Sequence, residues 1–340
     1  MAQTAATRSK AGQNKAAARS KAAVRPRKAP ATWRSAPKRR AGRKRTIQVW
    51  EASGPVPRNQ AQGLVWAAGC ASTDETKPIL TMVEWRHEED GTITIAATDT
   101  YRLGVCHIPA AEGGPWAQPA PGQTWLLPAE PVRKALSNTN ARQAGIMYLD
   151  PGVVAGTRAI EYDYPADITE DTKFPNWRKM SIFNEGFLAT RFDEVDVEAL
   201  AQAVCDAAAM AHGSNERRHI RLAPSGSMLE IIGSCTQGDG AALNSAYRAR
   251  IGAVVTRHGE TAAEPSCYNP ELIGPPVREA AQMWPAGTAT VQLRTPLDPV
   301  TLTIGPSELT VMCLHVFGED LATQTATLLG LLDDPEGGEG

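Results

Sequence analysis

Residues 79–105 read ILTMVEWRHEEDGTITIAATDTYRLGV, and their pattern decides the fold class. Ile79 to Trp85 and Thr92 to Ala96 are β-branched and apolar runs, and the acidic, glycine-containing segment Glu88 to Gly91 between them is a hairpin turn. After Ala97 the polar pair Thr98-Asp99 interrupts the apolar ladder, before a third strand that reaches Ile108. Short hydroxyl and carboxylate side chains bond to nearby backbone, so this pair predicts a fixed corner between strands. Asp99 with Arg102 predicts a buried structural pair, because no further acid or base stands beside them to make a catalytic set.

Outward from this hairpin the chain alternates strands with helices. Before it come a short strand from Thr46, Pro57 at a helix start, and Leu64, Ala68 and Ala71 at helical spacing. After it come a strand at Trp125 to Leu127 and a helix opened by Pro128-Ala129-Glu130 that ends around residues 137–140. Strands at Gly145 to Leu149 and Val153 to Tyr162 follow, then a polar connector from Asp167 to Lys173, with Phe174 to Met180 leading into a second unit. There the order recurs. Its first helix carries Val197, Leu200, Ala201, Val204, Ala208 and Ala211 on one face, with Gly213 as C-cap. Strands are predicted at Met228 to Ile232 and Ala246 to Val255 around the turn Gly238 to Gly240, and a helix at Asn269-Pro270 that Pro275-Pro276 should interrupt. Thr288 to Leu293, Val300 to Ile304 and Leu309 to Val316 close the sheet.

The net charge of −2 hides an asymmetry: 15 of the 35 Lys and Arg residues lie in the first 46 positions, which hold no Asp or Glu. The remainder therefore carries 20 basic against 37 acidic residues. Residues 1–45 predict a disordered basic tail, and Arg39, Arg40, Arg43, Lys44 and Arg45 are its densest phosphate-gripping run. A plain solubilising extension and an organellar transit peptide are the other readings of that composition. No apolar run approaches the roughly 20 residues that span a bilayer. The six scattered cysteines form no C-x-x-C pair, which fits a reducing cytoplasm.

Catalytic signatures are missing: no phosphate loop, no H-E-x-x-H, no G-x-S-x-G and no histidine pair at metal-ligand spacing. His212 and His219 flank a helix end, where a capping or surface role is expected. The sequence predicts no catalytic residue, metal or cofactor.

ILTMVEW…DGTITIAATDTYRLGV resembles the middle domain of the bacterial β sliding clamp, the DNA polymerase III processivity factor. Phe174-Pro175-Asn176-Trp177 resembles that family's Phe-Pro-Asp-aromatic signature, Asn269-Pro270-Glu271-Leu272 the start of a last-domain helix, and Leu309 to Val316 its terminal strand. The resemblance runs from about residue 46 to 318. It implies an α+β fold of two repeated clamp units, with helices lining a hole and antiparallel sheets outside, flanked by disordered tails. The units would be 46–166 and 167–318, with a basic tail at 1–45 and an acidic one at 319–340.

The function this implies is a DNA sliding clamp that encircles duplex DNA and tethers a replicative polymerase, with a clamp loader as second partner. Its pocket for short linear motifs carries over as Leu80, Thr98, Thr100, Tyr101, Arg102 and Leu103, then Pro175, Lys179 and Met180, then Val311, Met312, Leu314 and His315. Cys313, His315 and Lys179 depart from the family's usual proline, arginine and arginine. Phosphate-facing candidates are Arg58, Arg133, Lys134, Arg142, Arg217, Arg218 and Arg278, besides the tail. The family closes six domains from two three-domain chains, so two units per chain imply a trimeric ring, with the second unit's edge strand meeting residues near Thr46 to Trp50 of the next chain. A cytoplasmic, nucleoid-associated location is implied. The alternative is a phage- or plasmid-borne clamp-like module that competes with a resident clamp for partners, and a hydrolase acting on nucleic acid is a third reading.

Overall fold

The computed structural model describes residues 43–51, 55–110, 119–137, 144–149, 158–169, 171–179, 190–211, 219–237, 242–257, 265–285, 287–294 and 298–312. The chain opens with β1 (Arg43–Glu51) and α1 (Pro55–Cys70), then β2 (Met82–His87), β3 (Thr92–Thr98) and β4 (Arg102–Pro109). β5 (Thr124–Pro128), α2 (Ala129–Ser137), β6 (Ala144–Leu149) and β7 (Arg158–Tyr164) complete a first set. The second set is β8 (Thr190–Asp196), α3 (Val197–Met210), β9 (His219–Ser225), β10 (Met228–Gln237), β11 (Ala242–Gly252) and β12 (Val254–Arg257). It ends with β13 (Ser266–Tyr268), α4 (Pro270–Met283), β14 (Thr288–Leu293), β15 (Val300–Ile304) and β16 (Ser307–Val311).

Local chemistry explains the main elements. Gly91 takes the left-handed φ of 84° that the β2–β3 turn requires, and Asp90 Oδ1 accepts the Thr92 amide at 2.9 Å. The Asp196 side chain caps α3 through the Ala199 amide at 2.7 Å, and Asn269 caps α4 through the Glu271 amide at 2.9 Å. β3 is buried on both faces from Ile93 to Thr98, which is why its apolar run lacks strict alternation.

The two sets share a topology. β4-β3-β2-β5 has the same order as the four-stranded sheet β11-β10-β9-β13, position for position along the chain. β4 is continued by β16, so a nine-stranded antiparallel sheet, β12-β8-β14-β15-β16-β4-β3-β2-β5, joins the two sets. α1 packs against β4 and β3, α3 against β10 and β11, and the helix pairs α1/α2 and α3/α4 touch. Trp66 in α1 donates Nε1–H to the Pro276 carbonyl of α4 at 3.0 Å and stands edge-on to Trp284, so the helices also meet across the seam.

Two glycines set the helix-to-sheet spacing. A Cβ at Gly104 would lie 2.6 Å from Cys70 Sγ, and one at Gly233 would overlap the Ala207 backbone. Burial pushes the thiols of Cys70 and Cys106 up to about 12, so both are inert core groups.

Several expectations need correction. Pro78–Thr81 is a 3-10 turn, so the first hairpin strand starts at Met82 rather than Ile79. Pro78 fixes φ and favours that turn. Pro275 and Pro276 do not interrupt α4, which runs through both. Burial of Ile273, Pro276, Val277 and Ala280 holds the helix despite the lost donors. The 246–255 run is two strands, with β11 ending at Gly252 and β12 starting at Val254. α3 is capped at Ala211, and Gly213 and His212 lie outside the described residues. His219 is buried on β9 rather than at a surface helix end. Arg43 to Arg45 belong to β1, so ordered strand begins three residues before the expected boundary. β1 lies between β6 and β7, so Thr46 to Trp50 is no free edge for another chain. Residues 1–42 and 313–340, which include all of the acidic tail and the basic tail up to residue 42, lie outside the described residues.

Candidate functional site

The corner predicted at Thr98-Asp99 sits where β3 turns into β4, beside the end of β16. Thr98 Oγ1 donates to the Arg102 carbonyl at 2.7 Å and accepts the Thr100 amide at 3.1 Å. Asp99 Oδ1 accepts the amides of Tyr101 and Arg102, both at 2.9 Å, and its Oδ2 accepts Arg102 Nε–H at 3.0 Å. These bonds hold Thr100 at a φ of 84°, a region that β-branched residues rarely enter. The Asp99–Arg102 pair therefore fixes the corner, and it is half-buried rather than buried as expected from the sequence.

The corner presents Tyr101, which is 64% exposed, and its carbonyl accepts the Met312 amide at 2.8 Å. Met312 is itself 37% exposed. The structure thus brings together two of the predicted pocket residues as an exposed apolar pair. Thr100 is exposed beside them and Arg102 is half-buried. Leu80, Thr98, Leu103 and Val311 are buried and form packed support rather than an open surface. Leu103 pairs with Thr310, and Arg102 with Val311, across β4 and β16. Pro175 is half-buried in a separate cleft beside β5. Lys179 ends a 3-10 turn (Trp177–Lys179) and its side chain lies outside the described residues, as do Met180, Leu314 and His315.

Sequence reading missed two carboxylates on the nine-stranded sheet. Glu84 on β2 is buried and accepts Trp177 Nε1–H at 2.7 Å, pinning the connector onto the sheet. Glu308 on β16 is half-buried, and burial alone pushes its carboxyl up to about 7. The signal for both is an acid inside a predominantly buried strand, MVEWRH and SELTV.

The phosphate candidates are dispersed. Arg133 and Lys134 are exposed on α2, where Lys134 pairs with Glu130 at 2.5 Å. Arg133 lies near Glu279, whose carboxyl is raised by burial and drawn back by Arg133 and Arg102. Arg278 is exposed on α4, with Nε 3.2 Å from Cys205 Sγ of α3. α3 carries no Lys or Arg and has Glu198 and Asp206, so the described helix surface is not strongly basic. In β1, Lys44 pairs with Asp163 at 3.1 Å and the Arg45 guanidinium lies 3.7 Å from the Tyr164 ring centre. The side chains of Arg58 and Arg43 lie outside the described residues, as do Arg39, Arg40, Arg142, Arg217 and Arg218. Among the described residues, no helix is long and apolar enough to cross a membrane, and no cluster of three metal-ligating side chains occurs.

No protein-family model and no curated protein matches the sequence. Solved structures do. The DNA polymerase III beta chain of Streptococcus pneumoniae superposes with a TM-score of 0.55 at 13% identity, over 79% of this chain and 65% of that one. The DNA polymerase sliding clamp of Bacillus subtilis gives 0.57 at 13% identity, over 83% and 67%. The Caulobacter crescentus beta sliding clamp, which holds polyethylene glycol in a region proposed to tether beta-motifs, gives 0.54 at 14% identity, over 80% and 66%. The chain thus spans about two thirds of the length of the clamps it matches. Repeated sheet order, the seam between the sets and these superpositions agree: this chain has the fold of the bacterial DNA polymerase III beta sliding clamp over about two thirds of that clamp's length.

Proposed function

We propose that this protein is a non-catalytic sliding clamp, a processivity factor that encircles duplex DNA and tethers a replicative polymerase and a clamp loader by short linear motifs. The observation that carries the reading is the seam: a rigid Thr98–Arg102 corner holds Tyr101 beside Met312 at the junction of the two repeats. An exposed aromatic with a flexible thioether suits an apolar anchor of an incoming peptide. Sliding needs no base readout, so a few cations suffice, and Arg133, Lys134 and Arg278 would face phosphates with help from the basic N-terminal segment. Residues 46–166 and 167–318 would be the two clamp units, and three chains would supply the six units of a ring. Because β1 is interior, the closing contact would use β6 or β7 of one chain against β11 or β13 of the next, the outer strands of their sheets among the described residues.

Calorimetry with a polymerase-derived clamp-binding peptide tests the pocket. Met312→Ala and Tyr101→Ala should each weaken binding by roughly tenfold or more, since burying such a side chain contributes about 1.5–3 kcal/mol. Unchanged affinity in both variants would remove the seam from the reading. Leu103→Ala is unsuitable because Leu103 is only 3% exposed. Light scattering should report three times the 36.3 kDa chain mass. A persistent monomer would instead favour the competing-module reading.

A further inference from the structure

A cleft of about 1170 Å³ opens on the side of the nine-stranded sheet away from the seam, between β5 and β7. It is distinct from the Tyr101–Met312 pair and does not depend on the function proposed above. One wall is β5, with which no strand pairs on its far side among the described residues. His87 N–H bonds to the Gln123 carbonyl, and alternation along an antiparallel pair then turns the backbone groups of Thr124 and Leu126 away from β2. The Leu126 carbonyl does face that way, because it accepts the Tyr164 hydroxyl at 3.4 Å. The opposite wall is apolar, built from Tyr164, Pro165, Ile168, Phe174 and Pro175.

Charge around the cleft is one-sided. Arg45, Arg86, Lys173 and Arg178 line it, and Glu84 is its single carboxylate. Glu84 is already engaged by Trp177 Nε1–H and lies 3.9 Å from Arg178, and Arg86 and Arg178 both pair with Glu88 just outside, so four cations face two carboxylates and an excess of positive charge remains. An anionic occupant fits such a rim. Cations rather than open space lie over two of the aromatic rings that nucleic-acid bases would stack on: the Arg45 guanidinium covers Tyr164, and Arg178 lies 4.3 Å from the Trp177 ring centre. The outward N–H and C=O of Thr124 and the N–H of Leu126, by contrast, match the main chain of an extended peptide, which would take the Leu126 carbonyl over from Tyr164.

We propose that this cleft binds an acidic, extended peptide segment of a partner protein, which adds as a strand to β5 at Thr124–Leu126 while its carboxylates meet Lys173, Arg178, Arg86 and Arg45. The probe is a fluorescein-labelled Glu-Val-Asp-Val-Glu peptide, with Lys-Val-Lys-Val-Lys and hexathymidylate as comparators, titrated against the full chain. The acidic peptide should bind, the lysine peptide should not, and Lys173→Glu should weaken binding about tenfold. Lys173 is exposed on a connector, so the fold should tolerate the change, and Lys173→Gln should give an intermediate loss. Amide hydrogen exchange should slow at Thr124 and Leu126 in the bound state. Absence of binding at millimolar peptide would overturn the proposal, and so would equal affinity in Lys173→Glu or protection elsewhere than β5. Hexathymidylate binding that is lost in Lys173→Glu without protection of β5 would overturn it in favour of a nucleic-acid groove.

Discussion

The sheets β4-β3-β2-β5 and β11-β10-β9-β13 have one topology, yet each satisfies a buried carboxylate on the face away from its helices differently. In the first, Glu84 is satisfied from outside the sheet by Trp177 of the connector. In the second, Glu230 is satisfied by its own sheet: Oε1 accepts Arg248 Nη2–H at 2.6 Å and Arg250 Nε–H at 2.9 Å. Arg221, only 4% exposed, lies nearby and has its ionisation depressed by burial, offset by Cys267 and Glu230. A repeated fold therefore keeps the strand order but not the partners of its buried carboxylate. The first carboxylate fastens the two repeats' connector, and the second stabilises only its own sheet.

The sharpest way to break this comparison is to delete the acids. Glu230→Ala leaves the buried Arg221 and the half-buried Arg248 without a carboxylate beside them and should cost about 3–5 kcal/mol in urea unfolding, more than Glu84→Ala. Equal losses would mean that the arginines are effectively solvated. On the helix side of the same sheets, Gly233→Ala drives a methyl into the α3 backbone and should cost about 3 kcal/mol. Gly104→Ala meets the movable Cys70 and Trp66 side chains and should cost less, so the reverse ranking in thermal melts would refute the spacing argument.

Trp177→Phe removes the connector's bond to Glu84 and should cost about 1.5–3 kcal/mol, with earlier proteolysis near residue 177 as its local signature. A stability loss without earlier cleavage would show that Trp177 contributes packing alone.

Glu308 offers a third, milder contrast, because it accepts no hydrogen bond and joins no ion pair among the described residues. On β4 the register puts His107 on the same face, itself held below its usual range by burial and by Arg178; β15 offers only Thr301 and Thr303 there. A carboxyl raised to about 7 favours the folded state while protonated, so its stabilising contribution is present below the ordinary carboxylate range near 4.5 and lost as pH rises through about 7. Partial exposure and solvent screening reduce the effect to about 1 kcal/mol between pH 5 and pH 8. Glu308→Gln should flatten that slope in denaturation curves, and a wild-type slope in the variant would assign it to another group.

Local chemistry was readable from the chain alone wherever a few neighbouring residues dictate geometry. The Glu88–Gly91 turn, the Asn269 cap, the helix-spaced Leu64 and Ala68, and the Thr98–Arg102 corner each depend on contacts within a handful of positions. The resemblance that those motifs carried also gave the fold, because their order is the order of the repeated sheets. Partnerships between distant strands were not readable. Whether β1 lies at an edge depends on β6 and β7 about a hundred residues away, and whether Pro275-Pro276 breaks α4 depends on the burial of its flank. Exposure divided the predicted pocket in the same way: Tyr101 and Leu103 stand two residues apart on one corner, yet one is 64% exposed and the other 3%. Sequence sets which side chains a strand offers, whereas burial is set by whichever element packs across it, and only the assembled sheet decides that.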